Sequence, residues 1–446
     1  MPNTYLTQTI SSSTGKIFTL SMWIKKSAND SFNQLFHLSS DSNTHKYIDV
    51  ATKSAYGLDV QLKNGSGGTF LRRRTNRLLR DFSGWFHILI RFDSTQGSAG
   101  DRLRIYINGE QETSIDADST PDVPQDYVTD LNSNGGTLQI GRNPYNGGTG
   151  FFDGIISHYY LCDGYSYAPT VFGSTDSTTG EWKINTSPSI TMGTNGFTIL
   201  KDGNTITDQS SNSNDFTLGA GTLTKTEDCP SNVYCTFNPL IPQGLAYANG
   251  NLSATHDASS WKTAYGTIAM SGTGKYYFES KVSTLGSYQG VGIVDAEQIS
   301  AGASKFGAVS RGYGYKNDGS KTNNNSDASY GATYTTGDII GCALDLTNGA
   351  IYFSKNGAWQ NSATTGEIAA GTTTNAAYTS ISSSYVYLPA VQIYGSGTNQ
   401  FNAGNGFFGT TAVSSVQNPS SGDTSAEFEY TPPTGFQPIT TKGLNE

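Results

Sequence analysis

Catalysis needs groups that can exchange protons, attack carbonyl carbons or hold metals, and this chain has few in a useful spacing. It carries five histidines, His37, His45, His87, His158 and His256. None stands in a His-Glu-x-x-His pattern, and no Gly-x-Ser-x-Gly elbow presents a nucleophilic serine. The stretch SGTGKYY resembles a phosphate loop only superficially. Ala269 occupies the place of the first glycine, and Tyr276 follows Lys275 where a serine or threonine is needed. Glycoside hydrolysis needs two carboxylates at a fixed separation. No Glu-x-Asp-x-x-Glu run supplies them from one strand, so a pair would have to come from distant strands. His87 and His158 fall in predicted strands and read as packed or surface residues.

The four cysteines are Cys162, Cys229, Cys235 and Cys342. That is too few for a disulfide scaffold of this length. Cys229 and Cys235 could close a short loop, with reduced thiols as the plainer reading. No Cys/His spacing matches a zinc site. One basic run, LRRRTNRLLR, brings Arg72, Arg73, Arg74, Arg77 and Arg80 together. It reads either as a seat for an acidic partner or as the polar face of exposed strands. Flat aromatics beside amides and carboxylates form the remaining candidate binding set: Tyr145, Trp261, Tyr313, Tyr315, Asn317 and Asp318. Rings with neighbouring amides suit sugars, and tyrosine and tryptophan are equally at home in protein interfaces.

The elements that must position these residues are strands. In DIIGCALDLTNGAIYFSKNG, Ile340, Cys342, Leu344 and Leu346 alternate with Ile339, Gly341, Ala343 and Asp345, and Ile351 and Phe353 continue past Asn348-Gly349. A period of two puts one set on an apolar face, and Asn-Gly is a strong hairpin signal. The runs IFTLSMWIKK, WFHILIRFD and LRIYINGE alternate in the same way. The predicted class is all-β, two β-sandwiches joined by an irregular, β-containing connector. Composition agrees, since 12% of residues are aromatic and only 14% are charged. A net charge of −9 argues against nucleic-acid binding. No run approaches a membrane span, and the first residues lack the blocks of a secretory signal.

FTLSMWIKK, WFHILIRFD, LRIYINGE, QIGRN and FFDGIISHYYLCDG follow one another in the order of a laminin-G-like, concanavalin-like jelly roll, which residues 1–165 resemble. GKYYFESKV, YQGVGIV, the double Asn-Gly segment and YLPAVQIYG are similar to a SPRY domain, over residues 241–410. Residues 166–240 are then a connector with short strands, in which DQSSNSNDF forms Asx turns. Residues 411–446, with Pro432-Pro433 and PTGF, form an extended tail.

The resemblance carries functional expectations. Laminin-G-like domains sometimes hold Ca²⁺ at a rim, which makes Asp153 and Asp163 the calcium candidates, with Asp93 and Asp101 as further loop carboxylates. Turn-capping is the competing reading of these residues. In SPRY domains, loops at one end of the sandwich form the partner surface, near RGYGYKNDGSKTNNNSDASYG. The domain order resembles tailed-phage virion proteins. It implies a non-enzymatic capsid decoration or short tail fibre that is homo-oligomeric, contacts other virion proteins and touches a glycan or protein on the host. Two alternatives are a virion-borne carbohydrate-degrading enzyme and an intracellular SPRY-type adaptor.

Overall fold

The computed structural model describes residues 3–27, 33–40, 46–53, 57–64, 70–117, 119, 122–144, 150–241, 243–299 and 305–442. The chain divides into two compact units, residues 1–225 and 226–446.

Each unit is a pair of antiparallel sheets. In the first unit, one sheet runs in spatial order Thr217–Ala220, Tyr5–Thr9, Thr137–Ile140, Asn33–Ser39, Lys46–Lys53, Gly57–Asn64 and Phe70–Arg74. The other runs Phe197–Ile199, Gly154–Asp163, Ile17–Lys26, Phe86–Asp93, Leu103–Ile107 and Glu110–Gln111. Phe18, Leu20, Met22 and Ile24 face Leu38, Ile48, Val50 and Leu62 in one buried cluster, as the alternation predicts. The intervening Thr19 and Ser21 are buried too, because a second apolar layer covers the sheet's outer face. Leu89, Tyr106, Tyr160 and Cys162 pack there against Phe172.

The stretch expected to connect the sandwiches contributes an outer strand to each sheet of the first unit, Phe197–Ile199 and Thr217–Ala220. Its Asx motif has a specific task. Asp208 accepts from the Thr198 and Ser210 backbone N–H groups at 2.9 Å through Oδ1, and from Asn214 N at 2.9 Å through Oδ2. The Asn214 amide donates to the carbonyls of Thr194 and Gly196. A loop rich in small polar residues is thereby fastened through its side chains.

In the second unit the sheets run Ala246–Ala248, Ser253–His256, Gly397–Asn402, Lys275–Thr284, Ile339–Asp345, Ala350–Lys355, Ala358–Trp359, and Trp261–Tyr265, Tyr387–Tyr394, Tyr288–Asp295, Gly312–Lys316, Ser320–Asn323, Ser326–Ser329. Ile340, Cys342, Leu344, Ile351 and Phe353 lie in its core. The two Asn-Gly pairs differ. Asn356 and Gly357 both have positive φ, 48° and 80°, as a two-residue type I′ turn requires. At the first pair only Gly349 is positive, at 64°. There Asp345 holds the Asn348 N–H at 2.9 Å and its amide at 2.8 Å, and the carboxylate shapes a longer loop.

The outer faces of this unit are partly covered as well. Phe306 lies on the glycines of the six-stranded sheet: a Cβ on Gly314 would stand 2.3 Å from its Cε2. The Gly-Val-Gly strand is therefore half of a seat for an aromatic ring. The other sheet is covered by the C-terminal segment, with Phe428 and Phe436 packed on Tyr277 and Tyr352. Buried Asp423 accepts from Tyr234, Asn232 and Lys442 and joins the two ends of the unit. Glu279, wholly buried, accepts from the Glu429 and Tyr430 N–H groups at 2.9 Å each and from the Tyr277 hydroxyl at 3.0 Å.

Burial pushes the Glu279 carboxyl from about 4.5 up to about 7, against the pull of these donors. The folded unit therefore holds this proton more tightly than the unfolded chain does. The resulting stability is fully present below about pH 4.5 and is lost as pH rises through about 7. Glu279→Gln removes that dependence, which urea midpoints across the interval measure.

Candidate protein-interaction surface

The sequence candidates separate on the structure. Trp261 opens the edge strand of the six-stranded sheet and stands directly opposite Tyr394, which stands directly opposite Tyr288. The centroids lie 5.4 Å apart for Trp261–Tyr394 and 6.1 Å for Tyr288–Tyr394. Three rings thus form one cross-strand row, and Tyr288 keeps 47% of its surface exposed. Lys305 sits 5.8 Å from the Trp261 ring and Lys316 5.9 Å from the Tyr288 ring, in reach for cation–π attraction. The loops beneath are tied together. Gly395 N donates to the Ala258 carbonyl at 3.1 Å, and Asn317 Oδ1 accepts from Gln289 N at 2.8 Å.

Asn317 is therefore a loop clamp beside the row. Asp318, exposed, caps Ser320 N at 3.0 Å and pairs with Lys316 at 3.1 Å. Tyr315 is fully buried, with its hydroxyl donated to the Ala332 carbonyl, and is part of the core. Tyr313 lies at the other end of the same strand, 5.3 Å from Tyr378. Tyr145 lies outside the described residues. Tyr288 and Tyr394, which complete the row, were not singled out from sequence. Their signal was present in principle, since pairing the YQGVGIV and YLPAVQIY strands in register puts both tyrosines beside Trp261.

The arginine cluster is largely neutralised. Arg72 and Arg74 both pair with buried Asp59, Arg73 with Asp122, and Arg77 with Glu112 at 2.9 Å and Glu110 at 3.3 Å. Arg80 is exposed. The structure does not bring the calcium candidates together. Asp153 and Asp163 bracket the ten-residue strand Gly154–Asp163, and ten residues of strand span about 33 Å. Asp163 is buried, and its oxygens accept from Ser13 at 2.9 Å and from Asn195 N and Nδ2 at 3.1 and 3.0 Å. Burial raises its carboxyl above the usual range. Among the described residues, no three His, Cys, Asp or Glu side chains converge on a metal-sized site. All four cysteines are free thiols.

The most suggestive catalytic geometry is Ser21 Oγ, 2.9 Å from His87 Nε2. The ring lies between Trp23 and Trp182, with centroids at 5.0 and 5.9 Å. Trp182 Nε1, which can only donate, bonds His87 Nδ1 at 3.1 Å. Nδ1 therefore carries the lone pair and Nε2 the proton, so His87 donates to Ser21 and cannot deprotonate it.

Two family patterns match the chain. Residues 275–406 match the SPRY domain, and residues 3–165 match the Concanavalin A-like lectin/glucanases superfamily. The protein thus contains a SPRY domain and a laminin-G-like, concanavalin-type domain. Among its relatives, a Ran-binding proteins 9/10 homolog of Drosophila melanogaster is 36% identical over 105 residues, 23% of this chain and 10% of that protein. The ATP-dependent RNA helicase Ddx1 of the same fly is 30% identical over 103 residues, 23% of this chain and 14% of that protein. Human Ran-binding protein 9 is 32% identical over 112 residues, 24% of this chain and 15% of that protein. The chain thus spans only 10–15% of the length of these relatives, too little for a helicase activity to carry over. Among solved structures, the SPRY domain of human HERC1 aligns with 19% identity and a TM-score of 0.29, over 37% of this chain and 96% of that one.

These relatives are animal proteins rather than virion components, and they overturn the expected virion location. The expectation rested on the order of two sandwich types.

His87 is pushed by burial from 6.5 down to about 3. Its contribution to stability is present above pH 6.5 and is lost as pH falls toward about 3. Acidification from pH 7 to 5 therefore weakens the first unit through His87 while Glu279 favours the second. The pH dependence of thermal unfolding followed separately at Trp182, and its flattening in His87→Phe, checks this sign.

Proposed function

We propose that this protein is a non-enzymatic interaction protein whose SPRY unit docks a segment of a protein partner on the Trp261–Tyr394–Tyr288 row. The observation that carries the reading is the row itself: three large rings side by side, one of them half exposed, on a sheet whose inner face is packed into the core. Tryptophan and tyrosine dominate binding hot spots because they bury much area with few rotors. The rings are already ordered by cross-strand contact and by the clamped loops, so little entropy is lost when a partner covers them. Lys305 at the margin adds a polar group to the rim. The SPRY relatives named for Ran binding support a protein partner, and the adaptor reading accounts for them better than a structural role on a particle.

The test uses the full chain as bait, with quantitative recovery of a partner retained by the wild type. Trp261→Ala weakens that complex by about 2 kcal/mol or more, roughly thirtyfold, and Tyr288→Ala acts in the same direction. Tyr165→Ala, on the first unit, leaves it unchanged. Undiminished recovery by a folded Trp261→Ala/Tyr288→Ala variant removes the row as the docking surface.

A further inference from the structure

The six-stranded sheet of the SPRY unit ends in the hairpin Ser320–Asn323 and Ser326–Ser329, which is its outermost pair of strands. Asn324 and Asn325 both have positive φ, 50° and 57°, so the turn is of the two-residue type I′ form. In such a hairpin the residues flanking the turn exchange both hydrogen bonds, and pairing alternates from there. Asn323/Ser326 and Lys321/Ala328 are bonded pairs, and Thr322/Asp327 and Ser320/Ser329 are not. The next bond in the series, Tyr330 N to the Gly319 carbonyl at 3.1 Å, falls where this alternation requires. The N–H and C=O groups of Asp327 and Ser329 therefore point away from the sheet. They have no partner among the described residues, and all four residues of the strand are exposed.

This edge is firm and lightly guarded. Asn324 N donates to Val309 O at 3.2 Å and Asn325 N to Gly307 O at 2.8 Å, which fixes the tip against the Phe306 segment. Proteins usually blunt such an edge with proline, lysine or a bulge. Here the strand is Ser-Asp-Ala-Ser in regular register. Its one charge, Asp327, is drawn to Lys316 at 2.7 Å, and Asp318 shares the same ammonium at 3.1 Å. Two carboxylates on one cation leave that face negative by one charge. On the opposite face, Lys321 is held by the Ala377 carbonyl at 2.6 Å and lies 4.9 Å from the Tyr378 ring.

We infer that Ser326–Ser329 is a template for strand addition, accepting an extended segment of a partner protein that carries lysine or arginine on the side facing Asp318 and Asp327. Main-chain bonds to Asp327 and Ser329 supply the attachment. The acidic face selects the cationic side chains and fixes which side of the incoming strand points outward. This surface adjoins the aromatic row at Lys316, which lies 5.9 Å from the Tyr288 ring and pairs with Asp327, but its attachment uses the outward main-chain groups of Asp327 and Ser329 and stands whether or not the row binds.

The probe is a capped six-residue peptide alternating lysine and valine, added to the full chain, with amide exchange read at Asp327 and Ser329. Saturable slowing of both amides by about tenfold or more is expected. The slowing is lost when alternate peptide nitrogens are methylated, and also in Ser329→Pro, where the outward N–H is removed without breaking an internal bond. In that variant Asp327 remains as the reporter. Trp261→Ala leaves the slowing intact, which separates this result from failure of the aromatic row. Equal slowing by the methylated peptide overturns the inference, as does insensitivity to Ser329→Pro in a folded variant. Protection that rises with protein concentration in the absence of peptide also overturns it, since a second copy then occupies the edge.

Discussion

A β-sheet has two faces, and in this protein both faces of the sheets at the centre of each unit carry apolar side chains that must be kept from water. Pairing two sheets hides the inner faces. The outer faces need covers of their own, and most of the less regular chain serves that need. Residues 165–192 lay Phe172 over Leu89, Tyr106 and Tyr160, Phe306 lies on the glycines of the SPRY sheet, and Phe428 and Phe436 close its other sheet. Buried polar anchors fix these covers in place. Glu279 and Asp423 hold the C-terminal segment by its backbone and side chains, and Asp208 does the same for the loop before Thr217–Ala220.

The inner layers were legible because alternation is local. Ile340, Cys342 and Leu344, or Phe18, Leu20 and Met22, reveal a buried face within one strand. The covers were not legible, because they depend on which distant segment returns to a face. The tail looked extended from its prolines, and its Phe428 and Phe436 acquire meaning only beside Tyr277 and Tyr352. Turn chemistry was half legible. Asn356-Gly357 follows the local rule, whereas Asn348-Gly349 is overruled by Asp345 three residues before it.

The candidate site was partly legible for the same reason. Trp261 was identifiable as an aromatic in a turn-rich stretch, but a row requires register across three strands, which composition does not supply. Tyr315 failed in the opposite direction. It alternates with Tyr313 as Gly-Tyr-Gly-Tyr, and nothing local distinguishes the ring that is fully buried in the core from the one that packs only partly buried at the strand's far end. The arginine run shows how misleading a cluster can be on its own. Its charge is largely absorbed by Asp59, Asp122, Glu110 and Glu112, which come from other strands and loops.

That absorption narrows what recognition this protein can offer. Exposed ion pairs contribute little net attraction, and most of the cations near the two candidate surfaces already have a carboxylate, a carbonyl or a ring as partner. A partner that displaced them would have to replace those contacts, and the gain would be small. Ring faces and unpaired backbone are different, since each is held in place before anything binds and a partner has mainly water to displace from them. A fold that spends most of its charges internally is thus left with shape, aromatic area and strand edges as its means of selectivity, and with the one carboxylate that Lys316 leaves unbalanced between Asp318 and Asp327. In the second unit all three lie on the six-stranded sheet, while the C-terminal segment occupies the outer face of the other.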